Sequence, residues 1–97
     1  MAMFVGIGTL ELRLYEINSL KEKSSVIRRI LRRTRDRFRI SIQEVELLTE
    51  FEQAVLGFAS VGSHQAAVDK MMNNIIEFIE ELRMADVLSA DFTVEGF

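Results

Sequence analysis

Residues 4–37 read FVGIGTLELRLYEINSLKEKSSVIRRILRRTRDR, a stretch in which the spacing of apolar residues changes from two to about 3.6. Leu10, Leu12 and Leu14 alternate with polar residues, which predicts a strand that begins at residue 4. Apolar residues recur at helical spacing over residues 19–37, which predicts a helix. A strand followed by a helix is the first half of a βαβ unit, and this unit organises the rest of the fold.

The start of the first helix carries its own signal. Ser19 and Glu22 are three residues apart and fit a capping box, in which the two side chains bond free backbone N–H groups of the first turn. The expected apolar stripe of this helix is Leu20, Ile27, Leu31, Thr34 and Phe38.

The remaining chain completes the pattern. Residues 40–45 and 53–61 are rich in β-branched and apolar residues and are expected to form a hairpin. A second helix is expected from a cap at Ser63 to about residue 83, and a final strand over residues 88–95. The order βαββαβ with right-handed crossovers predicts an α+β, ferredoxin-like split sandwich, in which two helices cover one face of a four-stranded antiparallel sheet.

Length and composition limit the class of protein. Residues 1–97 are enough for a single ferredoxin-like domain. The hydrophobic fraction of 48% excludes disorder, and the 28% charged residues with no long apolar run exclude a membrane span. The chain has no cysteine, and its first residues lack the basic region of a signal peptide. We therefore expect a soluble, cytoplasmic protein.

Charges are distributed unevenly along the chain. Residues 21–39 contain nine of the twelve Lys and Arg residues and only two acids, a net charge of +7. The other residues carry three basic and thirteen acidic groups, a net charge of −10, so the overall charge of −3 conceals a strong separation. A separation of this size bears on the choice of partner.

The basic residues of the first helix are expected to form one exposed stripe opposite its apolar residues. Planar guanidinium groups donate paired hydrogen bonds to phosphate and keep their charge, which favours an RNA backbone as the partner. The predicted nucleic-acid-binding residues are Lys21, Arg28, Arg29, Arg32, Arg33, Arg35 and Arg39. In the alternative interpretation, these cations pair with carboxylates of the second helix.

The two central strands lack the aromatic residues on which RRM-like sheets stack bases. They are apolar on both faces, whereas the helices cover only one, and periodicity does not decide which. An uncovered aliphatic face usually marks an interface, although scattered surface aliphatics are also common. We expect homodimerisation through the open face, with Val5, Ile7, Val55, Ala59 and Val61 as the predicted interface residues.

Residues suited to catalysis are scarce. One histidine and no cysteine leave no zinc site and no Cys/His pair. His64 is expected to be a surface residue at the start of the second helix rather than a general base. Four glutamates lie within residues 44–52, but their spacing matches no calcium loop. We expect no enzymatic activity, no metal and no cofactor.

Three features resemble the YlxP-like family of small bacterial proteins, a domain-of-unknown-function family. They are Ser19-Leu20-Lys21-Glu22-Lys23, the basic helix that follows, and Ala54-Val55-Leu56-Gly57. The chain departs from the family pattern in Leu47-Leu48-Thr49-Glu50-Phe51-Glu52, which replaces a more polar stretch. The resemblance implies a ferredoxin-like fold. It also implies a link to RNA, because genes of such proteins often lie among genes for translation and ribosome maturation factors.

These observations predict a non-enzymatic protein that docks on structured RNA or ribosomal particles through its basic helix. The alternative is a homo-oligomeric protein-interaction module with no nucleic-acid role.

Overall fold

A computed structural model describes residues 2–46 and 49–97. The elements are β1 (Phe4–Leu14), α1 (Leu20–Arg37), β2 (Ser41–Glu46), β3 (Gln53–Gly62), α2 (Gln65–Glu81) and β4 (Ala85–Gly96). The expected element order and the bounds of β1 are confirmed. Leu47 and Leu48, which belong to the stretch that departs from the family pattern, lie outside the described residues.

The four strands form one antiparallel sheet in the order β2-β3-β1-β4. Strand β1 is central, and its Leu10 pairs with Leu56 of β3 on one side and with Ala90 of β4 on the other. The strand order and the two helices are those of the ferredoxin-like fold, which confirms the expectation.

Both helices pack on the same face of the sheet. This face carries the even-numbered residues of β1, and Leu10, Leu12 and Leu14 join the buried residues of α1 and α2 in one core. Burial therefore settles which face is covered, a question that the periodicity left open.

Gly6 lets α2 approach β1 closely. A Cβ atom at Gly6 would lie 2.6 Å from Cγ of Met72, which is fully buried on α2. The absence of a side chain at Gly6 therefore sets the separation of helix and sheet at this point.

The expected cap of α1 by Ser19 is confirmed, but Glu22 bonds the N–H of Asn18, one residue before the N-cap, rather than that of Ser19. The Ser19 hydroxyl accepts a hydrogen bond from the Glu22 N–H at 3.1 Å, and the Glu22 carboxylate accepts one from the Asn18 N–H at 2.8 Å. The assignment of Leu20 to the apolar stripe is wrong, because this side chain is 57% exposed. The packed part of α1 begins instead at Lys23, which is 4% exposed and lies one turn before the buried Ile27.

Two local expectations outside α1 are also corrected. Helix α2 has its N-cap at His64, with no side-chain cap bond, rather than at Ser63. Strand β4 begins at Ala85, and Leu88 is 45% exposed although its place in the alternation predicted burial. The reason is a register shift opposite Glu11, at which Leu88 is the residue left without a partner on β1.

Candidate functional site

The middle of α1 presents a group of exposed arginines. Arg28, Arg29 and Arg32 line a shallow depression together with Ser25, and Arg33 is exposed beside them. Lys21 is also exposed, about two turns closer to the start of the helix than Arg28. We call these five cations, Lys21, Arg28, Arg29, Arg32 and Arg33, the basic face of α1.

Within the described part of the chain, no side chain of the basic face forms a hydrogen bond or an ion pair. The alternative in which α1 arginines pair with α2 carboxylates is therefore not formed among residues 2–46 and 49–97. The donors of the basic face therefore have no partner among these residues.

Lys23 belongs to the same basic segment but behaves differently. Its ammonium donates a hydrogen bond to the Glu50 carbonyl at 3.0 Å and lies 4.0 Å from the Glu44 carboxylate. These contacts connect the first turn of α1 to β2 and to the segment before β3. In the sequence, Lys23 was counted with the other cations of residues 21–39. Its spacing of four residues from the buried Ile27 was the signal that it lies on the face of α1 that packs against the core.

The other predicted RNA-binding cations are placed apart from the basic face. Arg35 donates a hydrogen bond to the Ile42 carbonyl of β2 and so contributes to holding α1 on the sheet. Arg39 lies beyond the end of α1, in the connection to β2, where it lines a depression beside Ala59 and Val61. It therefore does not continue the helical arc, which ends at Arg37.

The uncovered face of the sheet carries all five predicted interface residues. Ile7 is 52% exposed and Val61 is 68% exposed, whereas Val5, Val55 and Ala59 are half-buried by their neighbours on the sheet. We call this surface the open sheet face. Four of these residues lie together on adjacent strands, because Val5 pairs with Val61, and Ile7 with Ala59. Val55 lies on the same face but further along β3, where it pairs with Glu11.

Sequence reasoning missed further apolar residues near this face. Val45 is 54% exposed at a register shift in β2, and its Cγ1 would be 2.7 Å from a Cβ atom at Gly57. It therefore covers Gly57 and extends the patch towards β2. Met3 and Phe97, which are 42% and 66% exposed, exchange two backbone hydrogen bonds that prolong the pairing of β1 and β4. The pairing of a large side chain with a glycine across two strands needs the register, which the sequence alone does not supply.

The two edges of the open sheet face differ in charge. On the β4 side, Asp91 and Glu95 follow the alternation of the outward-facing residues, and Ser89 donates a hydrogen bond to the Glu11 carboxylate at 3.0 Å. On the β2 side lies Arg39. Glu46 also lies on the β2 side, where it pairs with Val55, so the β2 edge carries a cation near Val61 and an acid near Val55, whereas the β4 edge is acidic.

His64 is exposed at the start of α2, as expected. Its Nδ1 lies 3.0 Å from the hydroxyl of its chain neighbour Ser63, and within the described residues no carboxylate bonds its other ring nitrogen. Among residues 2–46 and 49–97, no three His, Cys, Asp or Glu side chains are arranged to hold a metal ion. No helix in these ranges has both the length and the apolar character needed to cross a membrane.

Comparison with known proteins places this arrangement in a family. Residues 5–92 match the family described as "Protein of unknown function (DUF503)". The chain belongs to the DUF503 family. This confirms the expected YlxP-like family membership, since the chain is 32% identical over 76 residues to "Uncharacterized protein YlxP" of Bacillus subtilis (strain 168). That match covers 78% of this chain and 83% of the relative.

A solved structure supports the fold. The chain described as "Structural Genomics, protein YJCS" superposes with a TM-score of 0.51 at 10% sequence identity. The match covers 92% of this chain and 96% of that one. At this identity the likeness shows the fold alone.

Proposed function

We propose that this DUF503 protein is a non-enzymatic binder of structured RNA, free or in ribosomal particles, and that it contacts the phosphate backbone through the basic face of α1. The observation that carries the proposal is the group of four exposed arginines between residues 28 and 33, none with a partner among the described residues. Like charges this close on a helix cost stability, so a ligand that neutralises them is favoured.

The geometry fits a phosphate backbone better than bases. Arg28 and Arg32 are one helical turn apart, about 6 Å along the axis, so their guanidinium groups reach successive points on an extended polyanion. No outward-facing residue of the central strands has an aromatic ring on which a single-stranded base could stack. Recognition would therefore depend on the charge and shape of folded RNA.

The surroundings of His64 support the non-enzymatic part of the proposal. A Ser-His nucleophile needs a third group that orients the imidazole, and the described residues place none at its second ring nitrogen. We expect His64→Ala to leave RNA binding unchanged. Loss of the protein's cellular function from this substitution alone would contradict a non-enzymatic role.

A charge-reversal experiment tests the RNA proposal. The variant Arg28→Glu/Arg29→Glu/Arg32→Glu removes the centre of the basic face. A matched control, Arg13→Glu/Lys70→Glu/Arg83→Glu, changes the net charge by the same amount at exposed positions outside α1. Fluorescence anisotropy with a labelled RNA hairpin, and co-sedimentation with purified ribosomal subunits, report the affinity.

We expect the α1 variant to lose at least about 100-fold in affinity at low salt and the control to lose less than about threefold, because a local phosphate contact depends on position. The affinity of the unmodified protein should fall with a log–log salt slope of about 0.7–0.9 per phosphate contacted. Equal weakening in both variants would show a non-specific effect of net charge. Absence of binding at low salt would show that RNA is not the ligand.

A second surface favours a second partner. We also propose that two copies of the chain pair through the open sheet face, because Val5, Ile7 and Val61 form an aliphatic strip that the helices leave uncovered. Val5→Lys/Val61→Lys should give monomers, since an ammonium group buried without a partner is costly. Both positions lie on the uncovered face, so these variants should remain folded. Sedimentation of the unmodified protein as a monomer at high concentration would contradict the pairing.

A further inference from the structure

We infer that the copies pair about a two-fold axis parallel to the strands, with Arg39 of each chain bonded to the partner's Glu95. This inference rests on the proposed pairing through the open sheet face, and it deepens that proposal by giving the symmetry and the residues at the rim. It also moves Arg39 from the predicted RNA-binding set to the interface between copies.

The strand register places Arg39 and Glu95 on one line across the sheet. Val61 pairs with Val5, and Val5 pairs with Glu95 on its other side. Arg39 completes the line at the β2 edge, because it stands two residues before Ser41, which pairs with Ala59, and it lines a depression together with Val61. A cation and a carboxylate thus stand at opposite ends of the same row of the open sheet face.

Both side chains are directed to the uncovered side. Phe38, Ile40 and Ile42 are partly or fully buried in alternation with exposed neighbours, so Arg39 follows the outward positions. On β4, Val94 packs against the core and Glu95 is exposed. Among residues 2–46 and 49–97, neither Arg39 nor Glu95 has a hydrogen-bond or ion-pair partner.

The chain is too wide for Arg39 and Glu95 of one copy to meet, because β3 and β1 lie between them. Neighbouring strands are about 4.8 Å apart, so the two edges of a four-stranded sheet are separated by about 14 Å. Facing sheets, by contrast, pack about 10 Å apart, a gap that an arginine and a glutamate bridge from both sides. The partner for each charge is therefore found in a second copy.

A two-fold axis parallel to the strands leaves each row of paired residues at the same position along the strand direction. It places the β2 edge of one copy over the β4 edge of the other. Row by row, it sets Arg39 over the partner's Glu95, and Val61 over the partner's Val5. The next row sets the small Ala59 over the larger Ile7 of the partner subunit, which allows the aliphatic side chains to interdigitate. In the row of Arg39, opposite charges meet at both rims, and in this row and the next, apolar side chains meet between the rims.

The other way to stack two sheets face to face uses an axis across the strands. That rotation places each strand over the same strand of the partner, so β4 lies over the partner's β4. It also reverses the order of the rows along the strands. Centred on the row of Ile7, it brings Glu95 over the partner's Asp91, and Arg39 meets no acid. Centred between the rows of Ile7 and Thr9, the same axis brings Arg39 over the partner's Glu46, but Val5 then lies over the carboxylate of the partner's Glu11. Only the axis parallel to the strands both pairs Arg39 with an acid and keeps Val5 over an aliphatic residue, so we choose this axis.

A charge swap tests this arrangement. Sedimentation equilibrium gives the dimer dissociation constant for the unmodified chain, for Arg39→Glu, for Glu95→Arg and for the chain that carries both changes. Lys70→Glu and Glu81→Arg are matched controls, because both residues are exposed on α2, which covers the opposite face of the sheet. Thermal unfolding confirms that each variant is folded.

We expect each single reversal to weaken the dimer about tenfold or more, because two symmetry-related attractions become repulsions. The double swap should return the dissociation constant to within about threefold of the unmodified value, since each new carboxylate again faces a new cation. Both controls should leave it unchanged.

Three results would overturn the inference. If Glu95→Arg tightens the dimer, the axis runs across the strands. If the double swap is as weak as the two single changes combined, Arg39 and Glu95 do not meet. If Arg39→Glu leaves the dimer intact but weakens RNA binding, Arg39 belongs to the RNA-binding surface.

Sedimentation and RNA binding test the dimer, its ion pair and the RNA contact separately. If the unmodified chain sediments as a monomer, both the proposed dimer and the ion pair between Arg39 and Glu95 are contradicted. Loss of RNA binding in the α1 variant is independent of both, because the basic face of α1 lies on the helical layer and faces away from the proposed interface.

Discussion

The first turn of α1 and the turns that follow it carry the same kind of charge and use it differently. In the first turn, Lys23 is 4% exposed and bonds the Glu50 carbonyl. In the following turns, Arg28, Arg29 and Arg32 are exposed and bond nothing in the described part of the chain. One cation contributes to the fold, and the others are exposed and unpaired among these residues.

The difference teaches that a count of charges does not reveal their use. All of these residues contribute equally to the net charge of +7 over residues 21–39. Burial separates them, because a cation removed from water must bond within the protein, whereas an exposed cation keeps its hydration and pays little for remaining unpaired. Substitutions of these residues are therefore expected to have effects that range from a large loss of stability to a very small change.

Replacement of Lys23 should have the largest effect. Lys23→Met keeps the unbranched stem but removes the ammonium, so the Glu50 carbonyl and the Glu44 carboxylate lose a partner. We expect the free energy of unfolding to fall by about 2–3 kcal/mol, and the melting temperature to fall by roughly 10–20 °C. Urea unfolding measures this change.

The neighbouring cation is the matched control for this variant. Lys21→Met should change stability by no more than about 0.5 kcal/mol, because Lys21 is exposed and has no partner among the described residues. Glu44→Gln added to Lys23→Met should recover part of the loss by removing the unpaired carboxylate. If Lys23→Met and Lys21→Met were equally stable, Lys23 would contribute no more to folding than an exposed cation of α1.

Arg35 should give an intermediate effect, which sharpens the comparison within the last turns of the helix. It is exposed, yet its guanidinium bonds the Ile42 carbonyl. Arg35→Met should cost about 1 kcal/mol, whereas Arg33→Met should cost almost nothing. Thermal unfolding of the two variants side by side measures the difference. No loss of stability from Arg35→Met would show that its hydrogen bond contributes nothing.

Single substitutions on the basic face should weaken binding without weakening the fold. Arg32→Met removes a cation that lies one turn from Arg28, so we expect stability at low salt to rise by about 0.2–0.5 kcal/mol as repulsion is relieved. The same change should reduce the salt slope of RNA binding by about one unit. A loss of stability together with an unchanged slope would show that Arg32 supports the fold.

The smallest effect is expected at Tyr15, where a hydrogen bond is formed at the surface. The Tyr15 hydroxyl donates to the Asp86 carboxylate at 2.7 Å, and this bond is the main cause that raises the pKa of Tyr15 above its usual value of 10.0. Because the protonated phenol favours the folded state, its contribution is complete below pH 10.0 and is lost as the pH rises through the raised pKa.

Tyr15 is the only tyrosine and the chain has no tryptophan, so the absorbance of the phenolate reports this residue alone. We expect Asp86→Asn to lower the pKa of Tyr15 towards 10.0, with little change in the melting temperature. An unchanged titration curve would show that the bond to Asp86 does not form in solution.

Much of the fold could be predicted from local pattern. The alternation of Leu10, Leu12 and Leu14 marked β1, and the capping box of Ser19 and Glu22 marked the start of α1. These signals come from residues close together in sequence, where backbone geometry alone relates them. The prediction for β4 was less accurate because the register shift opposite Glu11 changes the phase of the alternation, and Leu88 therefore points away from the core.

Most residues of the two candidate surfaces could be predicted from the sequence, but their positions relative to one another could not. All five predicted interface residues share the open sheet face, but Val45 was missed because its position follows from a register shift beside Gly57. Arg35 and Arg39 were assigned to the RNA-binding stripe from helical periodicity. The first bonds the backbone of β2, and the second lies after the end of the helix.

The sequence by itself determined the order of the elements, the ferredoxin-like fold and the concentration of positive charge in α1, because each depends on neighbours along the chain. Only the tertiary structure decided which cations are available. Lys23 is held by Glu50, which is 27 residues away. The row that joins Arg39 to Glu95 also exists only in the folded sheet. Both depend on the register of strands far apart in sequence, which is set when the core packs and leaves one face of the sheet uncovered.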